Sequence, residues 1–412
     1  MFIIRSLFLL AALVLAPLPA FAVPQTEAEA TAVNDAFVIA LAALDQNAPQ
    51  AAIPVFRAIL GRHPDLIRVR LELGRAYFAN RQWGEARREF VLALSADLPD
   101  AVRRNVLAFI RRIDARRGFD WSLDLALTRL GSERDFSSDE IDLKFGDFVL
   151  PFTVNRSTDS EIGLTFDITA RASVAVPPLS GPALSVTAFA QPFAFGDHAR
   201  TAALKDYSYG IAAGLRFSAP RTTTSIALRG QQRDLAERSY ERKTGIELTA
   251  ERRGATGTTV FARAGWAQID NRVNDNLDGR EITATLGVQR AIGGRASIGA
   301  SVFGERRTAD LIFEEYDRYG ASVFGTVEPG LGLWIRASAF TSERRFKTPN
   351  VLFADNPNET EIGGTLRIEK NDLFLARRFI PYVELSTRRV DSGIDAFSYT
   401  ENSVSVGVEK AF

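Results

Sequence analysis

The sequence predicts an all-β transmembrane barrel of about 14 antiparallel strands preceded by a small all-α repeat domain. Three observations predict it. Residues 33–116 carry apolar residues at helical spacing and repeat themselves with a period of about 34 residues. From Phe119 onward the apolar spacing changes to two, the period of a strand. The connections between these later runs alternate short and long, as in an up-and-down meander that crosses a bilayer.

At the start, "MFIIRSLFLLAALVLAPLPAFAVPQ" places Arg5 before an apolar run from Leu7 to Leu15 and a small-x-small end at Ala20-Phe21-Ala22. This reads as a signal peptide over 1–22, cut after Ala22, because the run is shorter than the roughly 20 residues of a membrane-spanning helix. A signal anchor is the alternative. A linker is expected over 23–32, and the mature chain is expected to leave the cytoplasm. The 412 residues hold 50 basic and 50 acidic side chains and no cysteine. The zero net charge argues against a nucleic-acid partner, and without cysteine the chain is not itself a lipoprotein.

Within 33–116, Ala52, Phe56 and Ile59 recur as Ala86, Phe90 and Ala93, and the second copy adds Leu73, Gly74 and Tyr77. The stretch "LGRAYFANRQWGEARREFVLA" is the L-G-x-x-Y … A-x-x-x-F signature of a tetratricopeptide repeat. Gly74 and Ala86 are small where two helices cross, and Tyr77 and Phe90 fill the space between them. Pro64 closes the first unit. Past Pro99, Val102, Val106, Phe109, Ile110 and Ile113 form an amphipathic stretch that can cap the solenoid. On the inner helix of the second repeat, spacing puts Arg68, Leu71, Arg75 and Phe78 on the concave face, a mix suited to an extended acidic or amphipathic peptide. The bland alternative is solvated arginine beside ordinary packing.

The barrel domain is expected over 117–412. Phe119, Trp121, Leu123, Leu125 and Leu127 alternate with Asp120, Ser122, Asp124 and Thr128, and Ile162 to Ile168, Ile282 to Val288, Leu331 to Ala339 and Ile362 to Ile368 repeat the pattern. Short turns fall at "PPLSGP", "APRT", "GGR" and "PGLG", and longer polar loops at 131–158, 270–278 and 345–358. A soluble sheet of this length would show more turns and fewer apolar positions per strand. Lipid offers no hydrogen bonds, so the sheet must close on itself and turn its polar parity to a lumen. An even strand number brings both chain ends to one side, which places the repeats in the periplasm and the barrel in the outer membrane, with its lipid as a partner. Trp121, Tyr207, Tyr209, Trp266, Tyr316, Tyr319, Trp334 and Tyr399 lie near strand ends and are candidates for interfacial girdles or lumenal plugs.

This architecture resembles the surface lipoprotein assembly modulator (Slam) family. The likeness is most specific over "RLELGRAYFANRQWGEARREFVLALSADLPDAVRRNVLAFIRRID" and extends to barrel length and a terminal Phe. After the first strand the family has a short Asp/Asn-rich segment where this chain has "LTRLGSERDFSSDE", a departure that bears on client choice. The resemblance implies a non-enzymatic factor that delivers client lipoproteins or related secreted proteins to the cell surface. A polysaccharide export porin and a passive pore with a cell-wall tether are the competing readings.

Catalytic, cofactor and metal sites are not expected. His63 and His198 are the only histidines, one in each domain, and there is no cysteine, so a zinc site of His and Cys ligands, a Ser-His-Asp triad and a cysteine nucleophile are not expected. "NDNLDG" (274–279) echoes a calcium loop, but Thr285 stands where glutamate is needed, so it reads as a hairpin tip. Basic pairs at Arg306-Arg307, Arg344-Arg345 and Arg388-Arg389 fall at outward strand ends and suit lipopolysaccharide phosphates, although Arg252-Arg253 and Arg377-Arg378 fall at inner turns. The ending "NSVSVGVEKAF" reads as the closing strand, with Val404, Val406, Val408 and Phe412 on lipid. It resembles the signal read by the barrel-assembly machinery. Lys410 shares that lipid parity.

Overall fold

A computed structural model describes residues 27–412 apart from 95, 97, 117, 132–133, 146–147, 157–159, 182–183, 255–256, 350–351, 354–355, 372, 374–378 and 412. The signal peptide expected over 1–22, Phe412 and the Arg377-Arg378 pair lie outside the described residues. Five helices come first: α1 (Glu27–Asp45), α2 (Pro49–Arg62), α3 (Ile67–Ala79), α4 (Trp83–Ala93) and α5 (Asp100–Arg116). The linker expected over 23–32 needs correcting, because α1 already begins at Glu27. "EAEATA" is rich in helix formers, and Glu27 and Glu29 in the first turn complement the helix dipole.

The helices share one core. Ala52, Phe56, Leu73, Tyr77, Ala86 and Phe90 are buried in it together with Val106, Ile110 and Ile113 of α5. A Cβ on Gly74 would collide with the Phe90 ring, so the small residue expected at this crossing is required there. Among the described residues no helix is long and apolar enough to cross a membrane, which says nothing of strands.

The rest of the chain forms strands, numbered in chain order. β1 (Phe119–Leu130) is followed by three short strands, β2 (Arg134–Phe136), β3 (Glu140–Phe145) and β4 (Phe148–Thr153). Thirteen long strands follow: β5 (Glu161–Ala175), β6 (Ser185–His198), β7 (Asp206–Ser218), β8 (Thr222–Leu235), β9 (Arg238–Arg253), β10 (Thr258–Asn271), β11 (Gly279–Ile292), β12 (Ala296–Ala309), β13 (Tyr316–Gly330), β14 (Leu333–Phe346), β15 (Glu359–Lys370), β16 (Ile380–Ser392) and β17 (Tyr399–Ala411). Each pairs antiparallel with the next, β5 pairs with β1, and β17 returns to β1, so 14 strands close an outer-membrane-type barrel. Closure leaves no edge, which is what a sheet in lipid requires.

The seam is the shortest pairing of the cylinder. It runs from Ser122 opposite Ala411 to Thr128 opposite Ser405. Above it β17 pairs instead with β2, Tyr399 opposite Phe136.

Parity sorts the wall as the alternation requires. Leu127, Ile162, Leu228, Leu286, Val302, Val404 and Val406 are exposed on the outside, where lipid covers them. The lumenal parity carries charge and small residues. Phe193, Phe261, Phe303, Phe324 and Phe340 each cover a lumenal glycine of a neighbouring strand (Gly210, Gly287, Gly320, Gly299 and Gly363), and a Cβ at any of these glycines would collide with the ring. Of the candidate girdle residues, Tyr209, Trp266 and Tyr319 are exposed on the lipid side, whereas Trp334 is buried in the lumen.

Two loops differ from the reading above. The stretch 131–158 is not simply a polar loop, since β3 and β4 form a hairpin in which Ile141 faces Phe152, Leu143 faces Leu150 and Phe145 faces Phe148. One face of that hairpin is wholly apolar, and Phe148 is 75% exposed. At the same end of the barrel, β8 and β9 join through a two-residue turn, with Ala236 (φ 51) and Glu237 (φ 64) in the left-handed region. The remaining loops at this far mouth run to six residues or more. The near mouth, where both ends of the barrel chain arrive, carries the short turns expected after β7, β9, β11 and β13, whereas its connections 176–184, which includes the expected turn "PPLSGP", and 371–379 are nine residues long.

Candidate functional site

The helical domain is fastened across the near mouth. Its contacts come from the end of α2, the α2–α3 turn, the first turn of α3 and the middle of α4. Arg70 is the centre: it is 1% exposed, its Nη1 donates to Glu89 Oε2 at 2.7 Å, and its Nη2 donates to Glu328 Oε2 of β13 at 2.7 Å and to the Pro64 carbonyl at 3.1 Å. Burial alone would lower the guanidinium's pKa, but Glu328 and Glu89 outweigh it and the net shift is upward. The ion stays charged because both carboxylates are within reach.

Around this pair sit weaker contacts. Arg87 reaches Glu251 of β9 at 2.8 Å, and Arg295 in the β11–β12 turn reaches Asp65 at 3.4 Å. The Arg88 guanidinium lies 4.1 Å from the centroid of the Trp334 ring. The Gly332 amide donates to the Gly61 carbonyl at 3.3 Å. A Cβ on Gly294, which has φ +77, would strike Ile67, so this left-handed turn position is also where the α3 end comes closest.

The four residues proposed to receive a client lie away from these contacts. Arg68 and Arg75 are exposed and Leu71 is half-buried. Arg68 lies 5.3 Å from the centroid of the Phe37 ring on α1, and Arg75 pairs with Glu72 at 2.6 Å. Phe78 is held edge-on to Trp83 and Phe109, each at 5.1 Å. The structure therefore brings Arg68, Leu71 and Arg75 together along α3, while Phe78 joins the packing between α3, α4 and α5. Val38 and Ile39 of α1 are also exposed.

Inside the barrel, charges are matched across strands. Next to the seam, Arg367 of β15 donates to Asp124 of β1 at 2.6 Å and to Glu409 of β17 at 2.9 Å, and Arg336 of β14 meets Glu369 at 2.5 Å and Glu409 at 2.9 Å. Tyr382 of β16 completes this group by bonding Asp124 and lying under the Arg367 guanidinium at 3.4 Å. Higher in the lumen, Glu361 accepts from both Arg318 and Arg388 at 2.6 Å.

The basic pairs at the far mouth split between the two faces. Arg307, Arg344 and Arg388 pair with lumenal carboxylates. Arg306, Arg345 and Arg389 face outward and are bonded to Asp317, Glu343 and Asp391 at 2.6, 2.6 and 2.7 Å. In the 272–278 loop, Asp278 and Asn271 accept backbone N–H groups at 2.6 and 3.0 Å, the role of a hairpin tip. His63 closes α2, is buried, and stands 3.3 Å from Glu29. His198 bonds the Tyr207 hydroxyl at 2.6 Å. In the closing strand, Val404 and Val406 face lipid as expected, and the Lys410 ammonium lies 5.3 Å from the Trp121 ring centroid and 4.8 Å from that of Phe379.

A tetratricopeptide-repeat family matches residues 43–108. Among solved structures, the chain is similar to a loop-deletion mutant of OmpT, an outer membrane protein of Vibrio cholerae, at 12% identity over 71% of this chain and 98% of that one, with a TM-score of 0.42. It is likewise similar to the outer membrane channel DcaP of Acinetobacter baumannii, at 10% identity over 72% and 98%, with a TM-score of 0.43. No curated protein matches the chain.

Proposed function

We propose that the protein is a non-enzymatic outer-membrane translocation factor that delivers or displays specific client proteins, surface lipoproteins or related secreted proteins, at the cell surface. The near mouth then faces the periplasm, as the resemblance to surface lipoprotein assembly modulators implies. One observation carries the reading. The helical domain is fixed to the barrel by α2, α4, the α2–α3 turn and Arg70 in the first turn of α3, while Arg68, Leu71 and Arg75 of the same helix make no part of those contacts and are left open for a client beside the mouth it would enter. A domain that only tethered a passive pore would have no need of so defined a seat on the mouth.

The test is co-expression with a secreted protein encoded beside it, in a host that lacks both, scored by protease accessibility of the client on intact cells. Exposure should rise only when the full chain is present. No gain with the barrel inserted would refute the proposal.

A further inference from the structure

A cavity of about 470 Å³ lies between the helical domain and the lumenal wall at the near mouth. The helices contribute Arg57, Glu85 and Arg88, and the barrel contributes Arg336, Glu369 and Glu409. Ile53, Pro54 and Ile380 supply an apolar strip. Most of these charges are already engaged. Arg336 holds Glu369 and Glu409, and Arg88 lies on Trp334 and 3.3 Å from Glu89.

Glu85 differs from them. Its Oε2 is buried and accepts no hydrogen bond among the described residues, and its Oε1 accepts a long bond of 3.4 Å from Gln82 Nε2. A buried carboxylate oxygen without a donor of its own leaves part of the desolvation cost of the charge uncompensated. Burial pushes the Glu85 carboxyl above its ordinary value, and its own backbone N–H, Arg88, Gln82 and Arg57 offset that only in part. The missing partner is a hydrogen-bond donor, and a cationic one answers the charge as well.

We propose that this cavity is a binding site for a lysine or arginine side chain of an extended peptide, with Glu85 as its acceptor. The volume is that of a small-ligand pocket, which admits one or two residues of a chain and no folded domain. The strip of Ile53, Pro54 and Ile380 suits the methylene stem of such a side chain. That the peptide is a client on its way to the lumen rests on the function proposed above; the cation site does not.

The probe is fluorescently labelled hexalysine, titrated by anisotropy into the full-length protein in detergent micelles. Binding should be saturable, weaken at least tenfold in Glu85→Gln, and remain unchanged in Asp35→Asn, which alters an exposed carboxylate of α1. Equal affinity in the wild type and Glu85→Gln, or hexaglutamate binding as tightly as hexalysine, overturns the proposal. A reporter that keeps Glu85 guards against misfolding of that variant. The sequence has no cysteine, so Gln50→Cys at the cavity rim gives a unique thiol, whose modification by a maleimide hexalysine should slow. Absence of slowing also overturns the site. If clients fail to reach the surface while hexalysine binding still depends on Glu85, the translocation reading falls and the cation site stands.

Discussion

Replacing Arg70 by methionine tests whether the helical domain is held on the barrel by its ion cluster. Methionine keeps much of the length and removes the charge. The side chain lost is 1% exposed, and the carboxylates left behind, Glu89 and Glu328, are 3% and 16% exposed. Two like charges would then share one pocket without their common counter-ion. Removing one partner of a buried pair typically costs about 3–5 kcal/mol. The Glu89 share falls on the fold of the helical domain, because both residues belong to it. The Glu328 share falls on docking, and a charge-assisted bond of this kind contributes about 1.5–3 kcal/mol. That corresponds to a roughly tenfold to hundredfold rise in the undocked population. Hydrogen exchange in α2 and α4 reports the undocked state, helical circular dichroism on heating reports the domain, and heat-modifiable migration reports the barrel. Arg70→Met should raise exchange at the α2 and α4 ends and lower the helical transition while the barrel keeps its heat-shifted band. Arg70→Met combined with Glu328→Gln should recover part of the docking loss. If Arg70→Met changes neither exchange nor the helical transition, the cluster does not hold the domain.

Three further outcomes are expected. Arg68→Glu with Arg75→Glu should reduce client display on intact cells without lowering barrel insertion, since both arginines are exposed and neither is among the barrel contacts described above. Arg367→Gln strips Asp124 and Glu409 of the ion that joins β15 to both strands of the seam; the barrel should lose its heat-shifted migration at a temperature lower by roughly 10 °C. Lys410→Tyr should leave assembly unchanged, because an aromatic can take the ammonium's place against Trp121 and Phe379, whereas deletion of Phe412 should reduce the folded barrel recovered in outer-membrane fractions.

The wall of the barrel was legible because lipid imposes the same rule on every strand, so that Phe119 to Leu127 or Ile362 to Ile368 each reveal their faces alone. The β3–β4 hairpin was missed because "EIDLKFGDFVLPFT" sits between polar flanks, and its apolar face emerges only when the two strands are folded onto each other. The docking cluster was missed for another reason. Arg70 and Glu328 are 258 positions apart, and nothing local ties them. One signal was present all the same: Arg70 shares the i, i+3, i+7 face of Leu73 and Tyr77, both in the core, where a charge without a distant partner is out of place. The groove residues show the opposite limit, since spacing placed Arg68, Leu71 and Phe78 on one face but could not foresee that α5 would bring Phe109 against Phe78.

The closing strand shows how the two parities divide the work of closure. Val404 and Val406 meet lipid and could do so on any strand, so they do not specify which strand is the partner. Specification comes from the other face, where Glu409 bonds both Arg336 and Arg367, and Arg367 in turn bonds Asp124 of the first strand. A one-residue slip of β17 would turn Glu409 to lipid and carry the valines into the lumen, breaking both bonds at once. Among the described residues the seam has the fewest ladder pairs in the barrel, and the register is therefore fixed there by charge placement more than by ladder length. Lys410 adds to this from outside. Its ammonium rests between Trp121 of β1 and Phe379 beside β16, so it marks the same register on the lipid side as Glu409 does in the lumen. Shifting Glu409 to position 407 in an otherwise unchanged strand, by Glu409→Gly with Gly407→Glu, keeps composition and parity but moves the carboxylate by two positions. It also crowds Tyr382, which covers Gly407. If register rests on this carboxylate, the double variant should assemble poorly even with Phe412 intact, and Glu409→Gln alone should assemble with a weaker seam.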